Sequence, residues 1–163
     1  MKISAVVRNA SSQHEVVVST AGTEQSLAVP AKQSGQGSSV NGGEFLMLAL
    51  ATCYCNDLYR EAARLRVPVE SVEVEASAEF AGVGLAATDI VYRAKVSSPA
   101  SAAEIAELLR ATDAVAEVHN TLRAGAAVRW SGLSHAHTSV AIDSLHLPNC
   151  GPDARASDIR LRA

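Results

Sequence analysis

The stretch from Gly42 to Arg66, which reads GGEFLMLALATCYCNDLYREAARLR, decides the fold. Strong helix formers dominate it, and basic residues crowd its last turns, where the helix dipole favours cations. Glu44 lies in the first turn, where the dipole favours an anion, and Pro68 marks the end of the pattern. The sequence therefore predicts one long helix over Glu44–Leu65.

The two halves of this helix differ in polarity. Phe45–Ala51 has no clear polar face, which predicts burial on all sides. The second half carries polar residues that predict a solvent-facing side: Asn56, Asp57, Arg60, Glu61 and Arg64. We expect a central helix whose second half emerges from the core.

Strand patterns precede this helix. Ile3–Arg8 and Glu15–Ser19 flank a turn-rich segment and predict a hairpin, and Ser26–Val29 predicts a short third strand. The segment Lys32–Gly43 is almost wholly Ser, Gln, Gly and Asn, which indicates a surface loop.

Two alternating segments follow the helix. Val72–Phe80 places apolar residues on one face and mostly glutamates on the other, and Asp89–Ser97 alternates similarly. An antiparallel hairpin would bring acidic residues of the first strand opposite basic residues of the second, which favours one register. The residues concerned are Glu73, Glu75, Glu79, Arg93 and Lys95.

The remaining elements are a helix pair and a tail. Ala100–Arg110 predicts a helix with proline in its first turn, and Thr112-Asp113 can cap a further helix over Ala114–Arg123. Ala126–Ser131 predicts a last strand. We expect one domain over residues 1–131 and a C-terminal extension of unknown role over residues 132–163, with a second candidate strand at Thr138–Ile142.

Composition limits the classes of function. The chain has 163 residues, a formal net charge of -3 and no long basic run, so we expect no nucleic-acid partner. It has neither an apolar run of bilayer length nor a signal-peptide core, which predicts a cytoplasmic protein that does not bind membranes. Aromatic content is only 4%, so the core must come from Ala, Val and Leu, and dimerisation could supply further burial.

The cysteines are the first candidates for chemistry. Cys53, Cys55 and Cys150 form an odd set without metal-site spacing, so neither a disulfide framework nor a zinc site is indicated. Cys53 and Cys55 lie about 200° apart around a helix and face nearly opposite directions. Each is either a small buried hydrophobe or a reactive thiol, and a reactive thiol requires a nearby cation. The candidate cations are Arg8 and Lys32, which Glu44 could orient.

Histidines offer weaker signals. His119 is either a pocket residue that supplies an acid or a hydrogen-bond donor, or a polar residue on a helix surface. His135 and His137 have a spacing seen in metal sites, but no carboxylate or cysteine stands at a ligand-like interval nearby. We expect no metal and no cofactor.

Two segments resemble one protein family. Asn41–Cys53 resembles the Pro-x-Glu-Leu-Leu-x-Ala-Leu-x-x-Cys segment of the OsmC-like family, which includes the organic hydroperoxide resistance proteins. Val118–Leu122 resembles the end of that family's Cys-Pro-Val-x-x-Thr-Leu segment. The resemblance implies an α+β fold with antiparallel sheets around a long central helix. It also implies an intertwined homodimer with active sites at the interface.

The resemblance also implies an activity. Cys53 matches the peroxidatic cysteine that attacks an organic hydroperoxide and becomes a sulfenic acid, with Glu44 and a basic residue as its activating shell. The family's resolving cysteine falls on Ala116, and the glutamate of the peroxidase branches falls on Gly43. A thiol-dependent peroxidase would then need an external thiol reductant, or Cys55 or Cys150 as a substitute.

Two further hypotheses follow from the absence of the family's cysteine at position 116 and of its glutamate at position 43. The chain could be a non-enzymatic protein that binds a small apolar molecule and has lost turnover. Alternatively, it could be a redox sensor in which oxidation of Cys53 changes the dimer contacts.

Overall fold

The computed structural model describes residues 1–10 and 13–132. Eight elements lie within a compact unit that spans Met1–Ala127, and a second unit begins at Val128. They are β1 (Ile3–Ala10), β2 (Gln13–Thr20), β3 (Thr23–Leu27), α1 (Gly42–Leu65), β4 (Ser71–Glu79), β5 (Thr88–Ser97), α2 (Ala102–Val115) and α3 (Glu117–Arg123). The predicted strand at Thr138–Ile142 lies outside the described residues.

The long helix α1 begins at a reciprocal cap. The Asn41 side chain accepts a hydrogen bond from the Glu44 N–H at 3.0 Å, and the Glu44 carboxylate accepts one from the Asn41 N–H at 2.7 Å. This capping box satisfies two amides that a helix start leaves without partners. The helix ends at Arg66, whose left-handed backbone (φ 59°) stops further helical hydrogen bonding. The prediction of a long helix is confirmed, with its start two residues earlier.

Two antiparallel sheets flank α1 in sequence. Strands β1, β2 and β3 form one sheet in that order, and β4 pairs with β5 in the other. In the second sheet Glu73 lies opposite Lys95 and Glu75 opposite Arg93, as the charge pattern predicts. The third strand starts three residues and ends two residues earlier than predicted.

One buried cluster joins α1 and α2 to the β4–β5 sheet. Its members are Tyr54, Leu58, Ala62, Leu108 and Ala116. Partly buried valines of β4 and β5 pack against it, because strict alternation turns one face of each strand toward the helices. The core therefore lies under the second half of α1.

This position of the core contradicts the predicted burial of α1. The first half of the helix is only partly covered within one chain, and Leu48 is 57% exposed. In the second half, Asp57 and Glu61, which were expected to face solvent, are buried because α2 and β4 cover that half. Each keeps an arginine as its partner, Arg60 at 3.0 Å and Arg64 at 2.6 Å.

The helix pair has a different boundary from the predicted one. Ser101 and Glu104 form a capping box at the start of α2, and the helix continues through Thr112 to Val115. The Thr112 hydroxyl donates to the Leu108 carbonyl at 2.8 Å, so it is satisfied inside the helix and caps nothing. The break falls at Ala116. Ala126–Ser131 forms no strand, and its predicted assignment was wrong.

The β1–β3 sheet has little cover in a single chain. All of β1 and β3 is exposed, including apolar side chains such as Val6 and Val7, and none of the three strands packs extensively against the described helices. Among residues 1–10 and 13–132, no helix has the length and apolarity needed to cross a membrane.

The core position Leu108 gives a test of this packing. Leu108 is fully buried, so Leu108→Ala should lower the free energy of unfolding by about 2–5 kcal/mol through lost burial and a residual cavity. The matched control Leu85→Ala lies in the exposed β4–β5 connection and should change stability by less than about 0.5 kcal/mol. Urea unfolding followed by circular dichroism measures both. Equal effects would contradict the assigned core.

Candidate functional site

Cys53 lies near the middle of α1, and its sulfur contacts two carboxylates. Its Sγ lies 3.4 Å from Oδ2 of Asp57, one helical turn later, and 3.9 Å from Oε2 of Glu117. Glu117 approaches from the start of α3. The thiol is thus a hydrogen-bond donor between two acids that come from different helices.

Arg60 links the same two acids. Its Nη1 lies 3.0 Å from Oδ1 of Asp57 and 3.6 Å from Oε1 of Glu117. Because Asp57 is buried and Arg60 is half-exposed, the guanidinium carries the positive charge that the buried carboxylate needs. The cation therefore stabilises the acids, and the thiol faces their oxygens.

These contacts set the protonation of Cys53. Burial raises the pKa of the thiol, and the hydrogen bond to Asp57 and the negative charges of Asp57 and Glu117 raise it further. The backbone N–H of Val118 acts in the opposite direction on that pKa. Burial also raises the pKa of Asp57, and the negative charge of Glu117 raises it further. At neutral pH the sulfur is a protonated thiol.

The thiol and the acids together resemble a ligand set. The ligand-type atoms of Cys53, Asp57 and Glu117 all lie within 4.8 Å of one another. A divalent cation could bind at these three residues, although Arg60 already supplies positive charge to the two carboxylates.

The other predicted site residues lie apart from the sulfur. Glu44 caps α1, and Arg8 in β1 pairs with Glu15 across the hairpin at 2.6 Å. Lys32 lies in the loop before α1, and Cys55 is partly buried. Within the described part of the chain, none of these residues hydrogen-bonds to Cys53.

Two positions differ from the family pattern, Ala116 and Gly43, and the structure shows the surroundings of both. Ala116, at the resolving-cysteine position, is fully buried in the core cluster. At Gly43, an added Cβ would lie 3.0 Å from two ring carbons of Phe80. The Phe80 ring thus occupies the space into which a side chain at position 43 would project.

His119 is not a surface residue. It is 3% exposed, and its ring centroid lies 4.4 Å from that of Tyr92 and 5.7 Å from that of Tyr54, edge to face. Neither ring nitrogen has a hydrogen-bond partner among the described residues. Burial lowers the pKa of His119, and the charge of Arg123 lowers it further, so the imidazole is neutral at pH 7. The surface alternative for His119 was wrong.

A cavity of about 250 Å³ opens beside His119. It is lined by Leu50, Ile90, Tyr92, His119, Leu122 and Arg123.

Arg123 is held in this wall by its neighbours. Its Nη2 donates to Oδ1 of Asp113 at 2.7 Å and to the Tyr92 hydroxyl at 3.2 Å, and the Tyr92 hydroxyl donates to the same carboxylate. The two contacts lower the pKa of Asp113, the hydrogen bond from Tyr92 more strongly. Sequence reasoning missed this triad, and its one pointer to the cavity was His119 as a candidate pocket residue.

Comparison with known proteins gives the family. A family model described as OsmC-like protein matches residues 35–131, more than half of the chain. The chain belongs to the OsmC-like family. No curated protein matches this OsmC-like chain in sequence.

Solved structures share the fold. An OsmC-like protein from Mycoplasma pneumoniae is 20% identical with a TM-score of 0.51, covering 75% of this chain and 86% of that one. An OsmC-like protein of unknown function from Vibrio cholerae is 18% identical with a TM-score of 0.52, covering 74% and 93%. A Legionella pneumophila structure described as an organic hydroperoxide resistance protein is 17% identical with a TM-score of 0.48, covering 74% and 89%. The first two likenesses establish the α+β OsmC-like fold.

The acidic surroundings of Cys53 give a testable pH dependence. Asp57→Asn and Glu117→Gln should each lower the pKa of the thiol, because each removes a negative charge that opposes thiolate formation. The rate of alkylation by iodoacetamide as a function of pH measures this, with Cys55→Ser and Cys150→Ser in the background. The control Glu73→Gln, on the exposed side of β4, should leave the profile unchanged. An unshifted profile in both acid variants would contradict the electrostatic account.

Proposed function

We propose that this OsmC-like chain forms a homodimer that binds a small apolar molecule in the cavity beside α1, and that Cys53 does not turn over peroxides rapidly. The proposed slow turnover of peroxides rests on the two carboxylates within 4 Å of the Cys53 sulfur. A peroxidatic cysteine reacts as a thiolate, which an adjacent cation or helix N-terminus stabilises. The two carboxylates beside Cys53 disfavour the thiolate instead.

The cavity supports the proposed binding of a small apolar molecule. Its volume of about 250 Å³ exceeds the roughly 150 Å³ that holds benzene in an engineered apolar cavity. Leucine and isoleucine side chains form much of its wall, and Tyr92 and Arg123 are its polar lining residues besides His119, whose ring nitrogens are buried. Apolar walls with a few placed polar groups are typical of small-molecule sites.

Exposed apolar surface supports the homodimer. The first half of α1 and strand β1 both carry exposed apolar side chains, Leu48 in the helix and Val6 and Val7 in the strand. A second copy that covered them would supply the burial that a core poor in aromatic residues lacks. We place this homodimer in the cytoplasm, without a nucleic-acid or membrane partner.

One observation favours a second candidate, reduction of organic hydroperoxides by Cys53. Asp57 lies within hydrogen-bond distance of the thiol and can act as a general base. The thiol proton would pass to Asp57 as sulfur attacks the outer peroxide oxygen, the O–O bond breaks and the alkoxide leaves as the alcohol after protonation. An external thiol would reduce the sulfenic acid in two steps, releasing water and a disulfide of that thiol.

The assembly has a direct test. Light scattering should give twice the chain mass of 16.9 kDa at micromolar concentration, and Leu48→Glu should shift the protein toward monomer by placing a charge on the exposed part of α1. Val83→Glu, in the exposed β4–β5 connection, is the matched control and should leave the dimer intact. A monomeric wild-type protein would overturn this part of the proposal.

Two measurements distinguish the binding hypothesis from the peroxidase hypothesis. Calorimetric titration with 4-ethyltoluene should show saturable binding that Ile90→Trp weakens at least about tenfold by filling the cavity, whereas Val91→Trp, on the other face of β5, should not. Consumption of cumene hydroperoxide with dithiothreitol should be nearly the same for wild type and Cys53→Ser. Rapid consumption that requires Cys53 would instead establish the second candidate.

A further inference from the structure

Three side chains with metal-binding atoms converge beside the middle of α1. Sγ of Cys53 lies 3.4 Å from Oδ2 of Asp57 and 3.9 Å from Oε2 of Glu117, and the three ligand-type atoms all lie within 4.8 Å of one another. Zinc binds thiolate sulfur at about 2.3 Å and carboxylate oxygen at about 2.0–2.2 Å, so a tetrahedral zinc ion holds such atoms roughly 3.5 Å apart. The two distances from the sulfur are therefore close to the edges of a zinc coordination sphere.

The inner oxygen of Asp57 gives an independent indication of a cation. The Asp57 side chain is only 6% exposed, and among the described residues its Oδ2 accepts a hydrogen bond from the Cys53 thiol alone. A thiol is a weak donor, whereas an ionised carboxylate offers about four acceptor sites and is costly to bury without strong partners. Oδ2 therefore lacks a strong partner on the side that faces Cys53 and Glu117.

Arg60 contacts the other oxygen of each carboxylate. Its Nη1 lies 3.0 Å from Oδ1 of Asp57 and 3.6 Å from Oε1 of Glu117, whereas Oδ2 and Oε2 face the sulfur. Carboxylates that bind metals are usually held by such an outer partner, which orients them. A Cys53 thiolate and the two carboxylates together would carry three negative charges, of which Arg60 compensates one. A divalent cation compensates the other two.

The donor atoms also select among metals. Magnesium, calcium and manganese favour sites made of oxygen atoms, and copper(I) favours sulfur. Zinc binds thiolate and carboxylate alike, and zinc sites with three protein ligands keep one position open. Asp57 is buried and fixed, whereas Glu117 is exposed, so its carboxylate is able to adjust around an ion.

We propose that Cys53, Asp57 and Glu117 bind one Zn²⁺ ion, with Arg60 as the outer partner of both carboxylates. On binding, the S–H bond of Cys53 breaks, the zinc–sulfur bond forms and the proton passes to the solvent. This site goes beyond the proposed binding function and does not depend on the cavity beside His119. No sequence spacing indicates it, because Glu117 follows Cys53 by 64 residues.

The test begins with a protein from which other candidate ligands have been removed. His135→Ala, His137→Ala and Cys150→Ser are introduced together in the full chain, because these three residues lie outside the described part and carry metal-binding atoms. Calorimetric titration of this background protein with Zn²⁺ should show one saturable site per chain at micromolar concentration.

Single substitutions in the same background locate the site. Cys53→Ser and Asp57→Asn should each weaken zinc binding at least about tenfold, because each removes a ligand and even the loss of an outer partner costs about 10- to 100-fold in affinity. The matched control Cys55→Ser, about 200° away around α1, should keep the affinity of the background protein.

Cobalt gives a second readout that does not depend on the folding of a ligand variant. Co²⁺ added to the background protein should produce a near-ultraviolet band of charge transfer from sulfur to cobalt, which Zn²⁺ then abolishes by displacing the cobalt. Absence of saturable zinc binding, an affinity that survives Cys53→Ser, or a cobalt spectrum without the sulfur band overturns the inference. Binding of 4-ethyltoluene in the cavity is measured separately, so these outcomes leave the proposed binding function unaffected.

Discussion

The packing of α1 against α2 at Leu58 and Leu108 is the contact on which the rest of the structure depends. Both side chains are completely buried in one cluster, and the β4–β5 sheet closes over that cluster. Ala116 belongs to the same cluster, and there α2 has ended and the chain turns into α3. Because α3 begins there, Glu117 reaches the Cys53 sulfur and His119 reaches the two tyrosines. The chemistry beside α1 therefore follows from an apolar contact.

Local patterns were sufficient for much of the fold. Strict alternation and charge pairing predicted the β4–β5 hairpin with its register, and composition with capping residues predicted α1. The boundary between α2 and α3 was harder to predict, because Thr112 and Asp113 are good capping residues. In the structure both lie inside α2, where the Thr112 hydroxyl bonds to the Leu108 carbonyl and the Tyr92 hydroxyl bonds to Asp113. The predicted burial of α1 was wrong in part: Arg60 and Arg64 are exposed as expected, whereas Asp57 and Glu61 are buried beneath elements that come from distant sequence.

The candidate site shows the same limit. Cys53 stands out in the sequence, but Glu117 lies 64 residues later, and only the α2–α3 break brings that carboxylate to the sulfur. The expectation of a cation near the thiol came from chemistry and a resemblance, and no local pattern shows which charge approaches. His119 is ambiguous for a related reason: a short polar helix has no periodicity that reveals which side faces a cavity. The triad of Tyr92, Asp113 and Arg123 joins three separate elements and leaves no sequence motif.

The contact between Gly43 and Phe80 links the start of α1 to the residue that follows β4. A side chain at position 43 would place its Cβ 3.0 Å from the Phe80 ring, so this half-exposed ring would have to shift by a few tenths of an ångström to admit it. The two positions are therefore interdependent, and a side chain at position 43 is tolerated only as far as the Phe80 ring can yield.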